Sequence, residues 1–188
     1  MWSYEFFGYS VYQLIACFCL YSMGGWLVES VYMSICERKI VNRGFGATPF
    51  CPIYGFGALA GYLALRPIAE YPIAVYFAGA VVATVFEFIV AKLMMKFLHE
   101  VWWNYMEKPV NVQGLICLES TLAWGLYAIL VVRFLHGGVI GLIEQIPILI
   151  GQIAVLVILG IYAVDFVYHV MRVVRKSRRQ DQGGKQAA

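Results

Sequence analysis

Long apolar stretches alternate with short polar ones along this chain, and the alternation is on the scale of a bilayer. Five stretches are apolar enough to be read as crossing segments, at about 11–35, 50–65, 72–98, 114–135 and 147–171. A helix needs roughly 20 apolar residues to cross the hydrocarbon core. The second stretch is shorter and rich in Gly and Pro, while the third and fifth open on Pro72 and Pro147, as helix starts do. The pattern predicts an all-α, polytopic membrane helix bundle of about five transmembrane helices. Residues 1–10 are aromatic and are expected to form an interfacial segment. They lack a basic region and a small-residue cleavage site, so the first apolar stretch is expected to remain as a helix. Residues 137–146 are apolar but short, and a re-entrant or interfacial piece is expected there.

Composition agrees with the pattern. Of 188 residues, 62% are hydrophobic and only 13% charged, and the mean hydropathy is +0.74. A soluble domain of this size would carry far more charge. The net charge of +3 conceals a segregation. Arg172, Arg175, Lys176, Arg178, Arg179 and Lys185 crowd residues 172–188, and the body without them is acidic. This tail is expected to be a disordered, cytoplasmic anchor near anionic lipid, not a nucleic-acid-binding arm. The single membrane domain is then residues 11–171. With the C-terminus inside, Arg38, Lys39, Arg43, Lys92, Lys96, Lys108 and the tail all fall on the inner side, and only Arg66 and Arg133 fall outside. That partition predicts an outside N-terminus and a multi-pass protein of the cell membrane.

Acidic residues within apolar spans are costly and mark function by default. Glu29, Glu87, Glu119 and Asp165 occupy four different stretches. At about 1.5 Å of rise per residue, they lie roughly 9, 15, 8 and 9 Å from the inner ends of their spans. All four therefore belong to the cytoplasmic half. Ser22, Gly25 and Glu29 share one helix face, and its small residues would admit a neighbouring helix. Glu29, Glu87 and Glu119 are expected to line one polar cavity, with Arg43, Lys92 and Lys96 near enough in depth to pair with them. Asp165 has a local alternative in His169 or Arg172. Cys17, Cys19, Cys36, Cys51 and Cys117 show no C-x-x-C spacing, and His99 stands alone, so they are read as packing residues and no metal or cofactor is expected. No Walker A motif is present, so the chain carries no ATPase of its own.

Two long motifs flank the inner ends of the spans. One is N-R-G-x-x-x-x-P-F-C-P-I-Y-G-F-G, Asn42 to Gly57. The other is W-N-Y-x-x-x-P-x-N-x-x-G-x-I-C-L-E-S, Trp103 to Ser120, with Trp124-Gly125 after it. Over residues 12 to 170 the chain resembles the bacterial family of ABC-transporter permeases described as type IV and CmpB-like, and it is distantly similar to the eukaryotic transmembrane protein 229. The resemblance implies a permease-like transport subunit. It points to Glu29, Asn42, Arg43, Tyr54, Glu87, Tyr105, Asn111 and Glu119 as substrate-binding candidates, and Asn104 joins them as a hydrogen-bonding group at a position where the family differs. It points to Gly44, Cys51, Pro52, Gly55, Trp103, Gly114, Cys117 and Trp124 as structural motif residues. The family usually reads Trp-Asp-Tyr-Ser where this chain has Trp103-Asn104-Tyr105-Met106, so an ionised group is lost there and a hydrogen-bonding one remains.

The leading expectation is a transport subunit with a glutamate-lined cavity open to the cytoplasm. Membrane lipid surrounds it, and a homodimer or a separate ATPase subunit completes it. Two other classes fit the same residues. One is a membrane-embedded enzyme acting on a lipid or isoprenoid substrate, with the acids as base or ligands and Arg43 on a phosphate. The other is a non-catalytic scaffold in which the acids only fix helix packing.

Overall fold

A computed structural model describes residue 2 and residues 4–44, 46–99 and 101–186, without the side chains of 98, 174 and 176–186. The chain opens with a two-residue antiparallel hairpin, β1 (Glu5–Phe6) and β2 (Tyr9–Ser10). Phe7 and Gly8 both take positive φ at its turn, 55° and 83°, the backbone that a tight hairpin demands. Ser10 then caps α1 (Val11–Glu37) in a reciprocal capping box: Gln13 N donates to Ser10 Oγ and Ser10 N to Gln13 Oε1. α2 (Pro52–Leu65) begins on its proline, and a short turn of 3-10 helix (Arg66–Ile68) leads to α3 (Pro72–Leu98). A second small hairpin, β3 (Asn111–Val112) and β4 (Ile116–Cys117), precedes α4 (Leu118–Leu130). α4 passes through a π turn (Val131–Leu135) into α5 (His136–Gln145), and α6 (Ile148–Gln186) ends the described chain.

Among the described residues, four helices are long and apolar enough to cross a membrane: Val11–Glu37, Pro72–Phe97, Leu118–Gln145 and Ile148–Val173. Their outer faces are apolar and exposed, as at Phe77, Val81, Leu126, Ile150 and Val164, which suits a multi-pass protein in lipid. Three differences from the expected elements have physical reasons. The second expected span is a 14-residue helix, only about 21 Å long at 1.5 Å per residue. The short piece at 137–146 is no separate segment, because α4 and α5 form one 28-residue helix. Gly137 and Gly138 weaken a helix by about 1 kcal/mol each in water, but in lipid the backbone has no other hydrogen-bond partner. The basic tail, expected to be disordered, continues α6 to Gln186, where Arg, Lys and Gln are good helix formers. Lys176, Arg178, Arg179 and Lys185, on which the anchor expectation rests, lie outside the described side chains.

α1 packs along α2 and α3 along α4. Glycines set both contacts. A Cβ at Gly25 would overlap the Tyr54 ring, one at Gly55 would lie 2.7 Å from the Phe18 carbonyl oxygen, and one at Gly125 would lie 2.7 Å from the Tyr76 ring. Tyr12, Ala16, Cys17, Cys19 and Tyr21 of α1 form the core with Phe50, Ile143 and Val155. At one end of the bundle the hydroxyls of Tyr9 and Tyr62 meet at 2.9 Å, Arg66 donates to the Phe7 carbonyl and Arg133 to that of Ala69. The buried His136 ties α5 in by a 2.9 Å bond to the Tyr21 hydroxyl and by stacking on Tyr62. The two motif loops lie toward the opposite end.

Candidate functional site

The loop between α1 and α2 does not cross over the end of α1; it runs back down the helix. Ser34, Ser30, Trp26 and Ser22 stand four residues apart on one helix face, and each receives the loop. Ser34 Oγ accepts from Val41 N, Ser30 Oγ accepts from Arg43 N, and Trp26 Nε1 donates to Asn42 Oδ1. The Ser22 carbonyl accepts from Cys51 N at 3.1 Å. Because Ser22 is 15 positions before Glu37, the loop descends about 22 Å by helical rise before α2 begins. This ladder is the part of the site that motif reading missed, although its four-residue period is visible in the sequence.

Glu29 lies beside the ladder and receives the loop and α2 together. Arg43 reaches its Oε1 with Nε and Nη2, both at 2.9 Å, and the Tyr54 hydroxyl donates to its Oε2 at 2.6 Å. Tyr54 can come this close because Gly25 has no side chain. The carboxylate is thus shared by a charge-assisted double contact and a phenol, among the stronger arrangements open to an acid away from water.

Glu87 of α3 is 4% exposed and is met by the second motif loop and α4. Its Oε1 accepts from the Tyr105 hydroxyl at 3.1 Å, and its Oε2 from Trp124 Nε1 at 3.0 Å and from Ser120 Oγ at 3.4 Å. Burial first, and then the Glu87 carboxylate, push the loop phenol of Tyr105 above its ordinary pKa, so it donates as a neutral hydroxyl across the physiological range. The rings of Tyr54 and Trp124 lie 6.4 Å apart. The Glu29 and Glu87 clusters are therefore joined through the aromatic residues that bind them.

The remaining candidates fall elsewhere or do other work. Glu119 does not join the other two acids. It is one residue before Ser120, so about 100° of helix rotation turns it away from Glu87, and its exposed side chain pairs with Lys108 at 2.7 Å. That pair raises the Lys108 pKa. Among the described residues, the recess at this end of the molecule is bordered by Arg43 and α6 and not by the glutamates. Lys92 donates to Gln113 at 2.5 Å and not to an acid. Asn42 accepts from Gly44 N and donates to the Gly46 carbonyl, and Asn104 accepts from Met106 N. Asn111 donates to the Lys108 carbonyl and accepts from Gly114 N. All three amides thus brace their own loops. Trp103 donates to the Leu115 carbonyl, and the positive φ of Gly114, 68°, turns the hairpin. Cys51 and Cys117 are buried helix N-caps, and Pro52 opens α2. Among the described residues no three His, Cys, Asp or Glu groups come together as metal ligands.

Asp165 takes the local alternative and adds an unforeseen one. It pairs with His169 at 3.1 Å and accepts from Ala47 N, Thr48 N and Thr48 Oγ1, so α6 holds the descending loop. A Cβ at Gly46 would overlap this carboxylate. Asp165→Ala is expected to speed amide exchange at Ala47 and Thr48 about tenfold, since charged-acceptor bonds are worth roughly 1.5–3 kcal/mol. Unchanged exchange by mass spectrometry would mean that Asp165 does not hold the loop.

The chain has no match among curated proteins, and none among solved structures. A family model does match, over residues 16–170, and that span takes in both motif loops, Glu29, Glu87 and Asp165. The chain belongs to that family, described as "Putative ABC-transporter type IV".

Proposed function

We propose that this protein is a transport subunit of the permease type in the bacterial inner membrane, with its working polar site in the cytoplasmic half. The observation that carries the reading is the pair of acids, Glu29 and Glu87, each gripped by one of the two motif loops and joined through Tyr54 and Trp124. Structural acids are usually satisfied by neighbouring helices alone; each of these is also held by one loop residue, Arg43 or Tyr105, and loops can move. Loop motion would release the carboxylates toward a passing solute or coupling ion. In this reading the descending loop and α2 together make one crossing, so the chain crosses five times, with the N-terminus outside and the C-terminus inside. The Lys and Arg distribution supports that orientation. Five helices are few for a path, so a second copy or another subunit completes it, and the family description supports a separate ATPase.

Orientation has a direct measurement. A single cysteine placed at Arg66 is expected to react with an impermeant maleimide added to whole cells, and one at Lys39 only after lysis. The reverse pattern inverts the topology. For the function, the full chain purified from its native membranes is expected to bring an ATPase with it. Glu29→Gln and Glu87→Gln should each reduce transport-coupled ATP hydrolysis at least tenfold, while the complex stays assembled. A chain that co-purifies with no nucleotide hydrolysis above background would sink the ABC reading.

The scaffold reading has its own supporting observation, since each acid of the site is already fully paired. It requires that both glutamine variants lower thermal stability and change nothing else.

A further inference from the structure

Beside Arg43, the loop, Trp102 and the inner end of the α6 span border a recess of about 300 Å³, the lower end of the range for small-molecule sites. Asn42, Arg43, Gly44, Trp102, His169 and Arg172 border it. We infer that this recess binds a phosphate-bearing anion at the membrane surface, with Arg43 and Arg172 as its two cationic contacts.

Three features carry the inference. First, Glu29 occupies only the Nε–Nη2 edge of the Arg43 guanidinium. A guanidinium has five N–H groups in a planar fork, so the Nη1–Nη2 edge is left for a second acceptor, and the side chain is still 24% exposed. Glu29 fixes the guanidinium plane, so little side-chain freedom is lost when an anion binds. Second, Arg172 is exposed and, among the described residues, has no carboxylate at ion-pair distance. The other acid nearby, Asp165, is committed to Ala47, Thr48 and His169. Among the described residues, no acid therefore compensates the charge of Arg172 at the mouth of the recess. Third, the apolar run of α6 gives way to basic residues from Arg172 onward, so the recess lies at the depth where hydrocarbon gives way to headgroups. Two arginines and an aromatic wall at that depth suit a phosphate monoester or diester.

The inference stands apart from the transport reading, and its test needs no transport assay. The full chain in neutral detergent is titrated with dihexanoyl phosphatidylglycerol, with inorganic phosphate and with dihexanoylglycerol, and binding is read by calorimetry and native mass spectrometry. Phosphatidylglycerol, phosphate or both should bind, and dihexanoylglycerol, with the same chains and no phosphate, should not. Arg43→Gln also breaks the Glu29 pair, so the deciding variant is Arg172→Gln, whose melting temperature should match the wild type. It should weaken the phosphate-bearing probe about tenfold, one charge-assisted contact. Tighter binding of phosphatidylglycerol than of phosphate assigns the site to a lipid headgroup, and equal binding assigns it to a soluble phosphate. Dihexanoylglycerol binding as well as phosphatidylglycerol, or an unchanged affinity in Arg172→Gln, overturns the inference.

Discussion

Glu87→Ala is expected to lower the unfolding free energy in detergent by about 3 kcal/mol, against about 1 kcal/mol for Glu87→Gln. The truncation leaves two donors without an acceptor, the Tyr105 hydroxyl and Trp124 Nε1, while the Ser120 hydroxyl keeps the Cys117 carbonyl at 3.0 Å. Side-chain hydrogen bonds within membrane proteins are worth roughly 0.6–2 kcal/mol each, and a buried donor left unpaired adds its desolvation cost. Glutamine keeps one carbonyl oxygen for the Trp124 and Ser120 side and has the same shape, so most of the network survives. Because Tyr105 belongs to the second motif loop and Trp124 to α4, the alanine variant should also loosen the loop. Reversible unfolding in mixed detergent, together with protease cleavage between residues 102 and 112, measures both effects. Equal stability of the alanine and glutamine variants would show that Glu87 does not organise this region.

Gly55→Leu should be the more severe change, costing about 3 kcal/mol, whereas Gly61→Ala on the same helix should be neutral or stabilising by up to about 1 kcal/mol. The contrast rests on what a new Cβ meets. At Gly55 it meets the backbone oxygen of Phe18 at 2.7 Å and the Phe18 ring at 2.6 Å, and backbone cannot turn aside. At Gly61 it meets nothing within 4 Å. A leucine at 55 must push α2 off α1. Tyr54, one residue earlier, would move with it and lose its 2.6 Å bond to Glu29. Gly55→Leu should therefore reduce site function as well as stability, and a normal melting temperature in that variant would refute the close α1–α2 contact.

The readings that survived best rest on physics acting within one segment. Apolar length predicted the long helices, and Pro72 the start of α3. Ser22, Gly25 and Glu29 on one face predicted a close neighbour, and α2 is that neighbour. Glu29 and Arg43 were placed at similar depth by counting helical rise, and they are paired. Counting depth could not give direction around the helix axis at a helix start. Glu119 and Ser120 have nearly the same depth, yet Ser120 reaches Glu87 and Glu119 reaches Lys108. The asparagines of the motifs are binding candidates through the family resemblance, which says nothing of their local partners. Their bonds to neighbouring backbone became visible only with the loops folded.

From its own order of residues this chain determined that it is a membrane helix bundle and where its long helices lie. Those outcomes follow from local hydrophobicity and helical rise. Only the tertiary structure decided that the first motif loop descends the Ser34–Ser30–Trp26–Ser22 ladder, that Asp165 of α6 holds it there, and that Tyr54 on Glu29 lies beside Trp124 on Glu87 while Glu119 pairs with Lys108. These depend on contacts between residues far apart in sequence. A polar group in lipid must find some partner, and the order of residues does not say which partner the packed helices bring within reach.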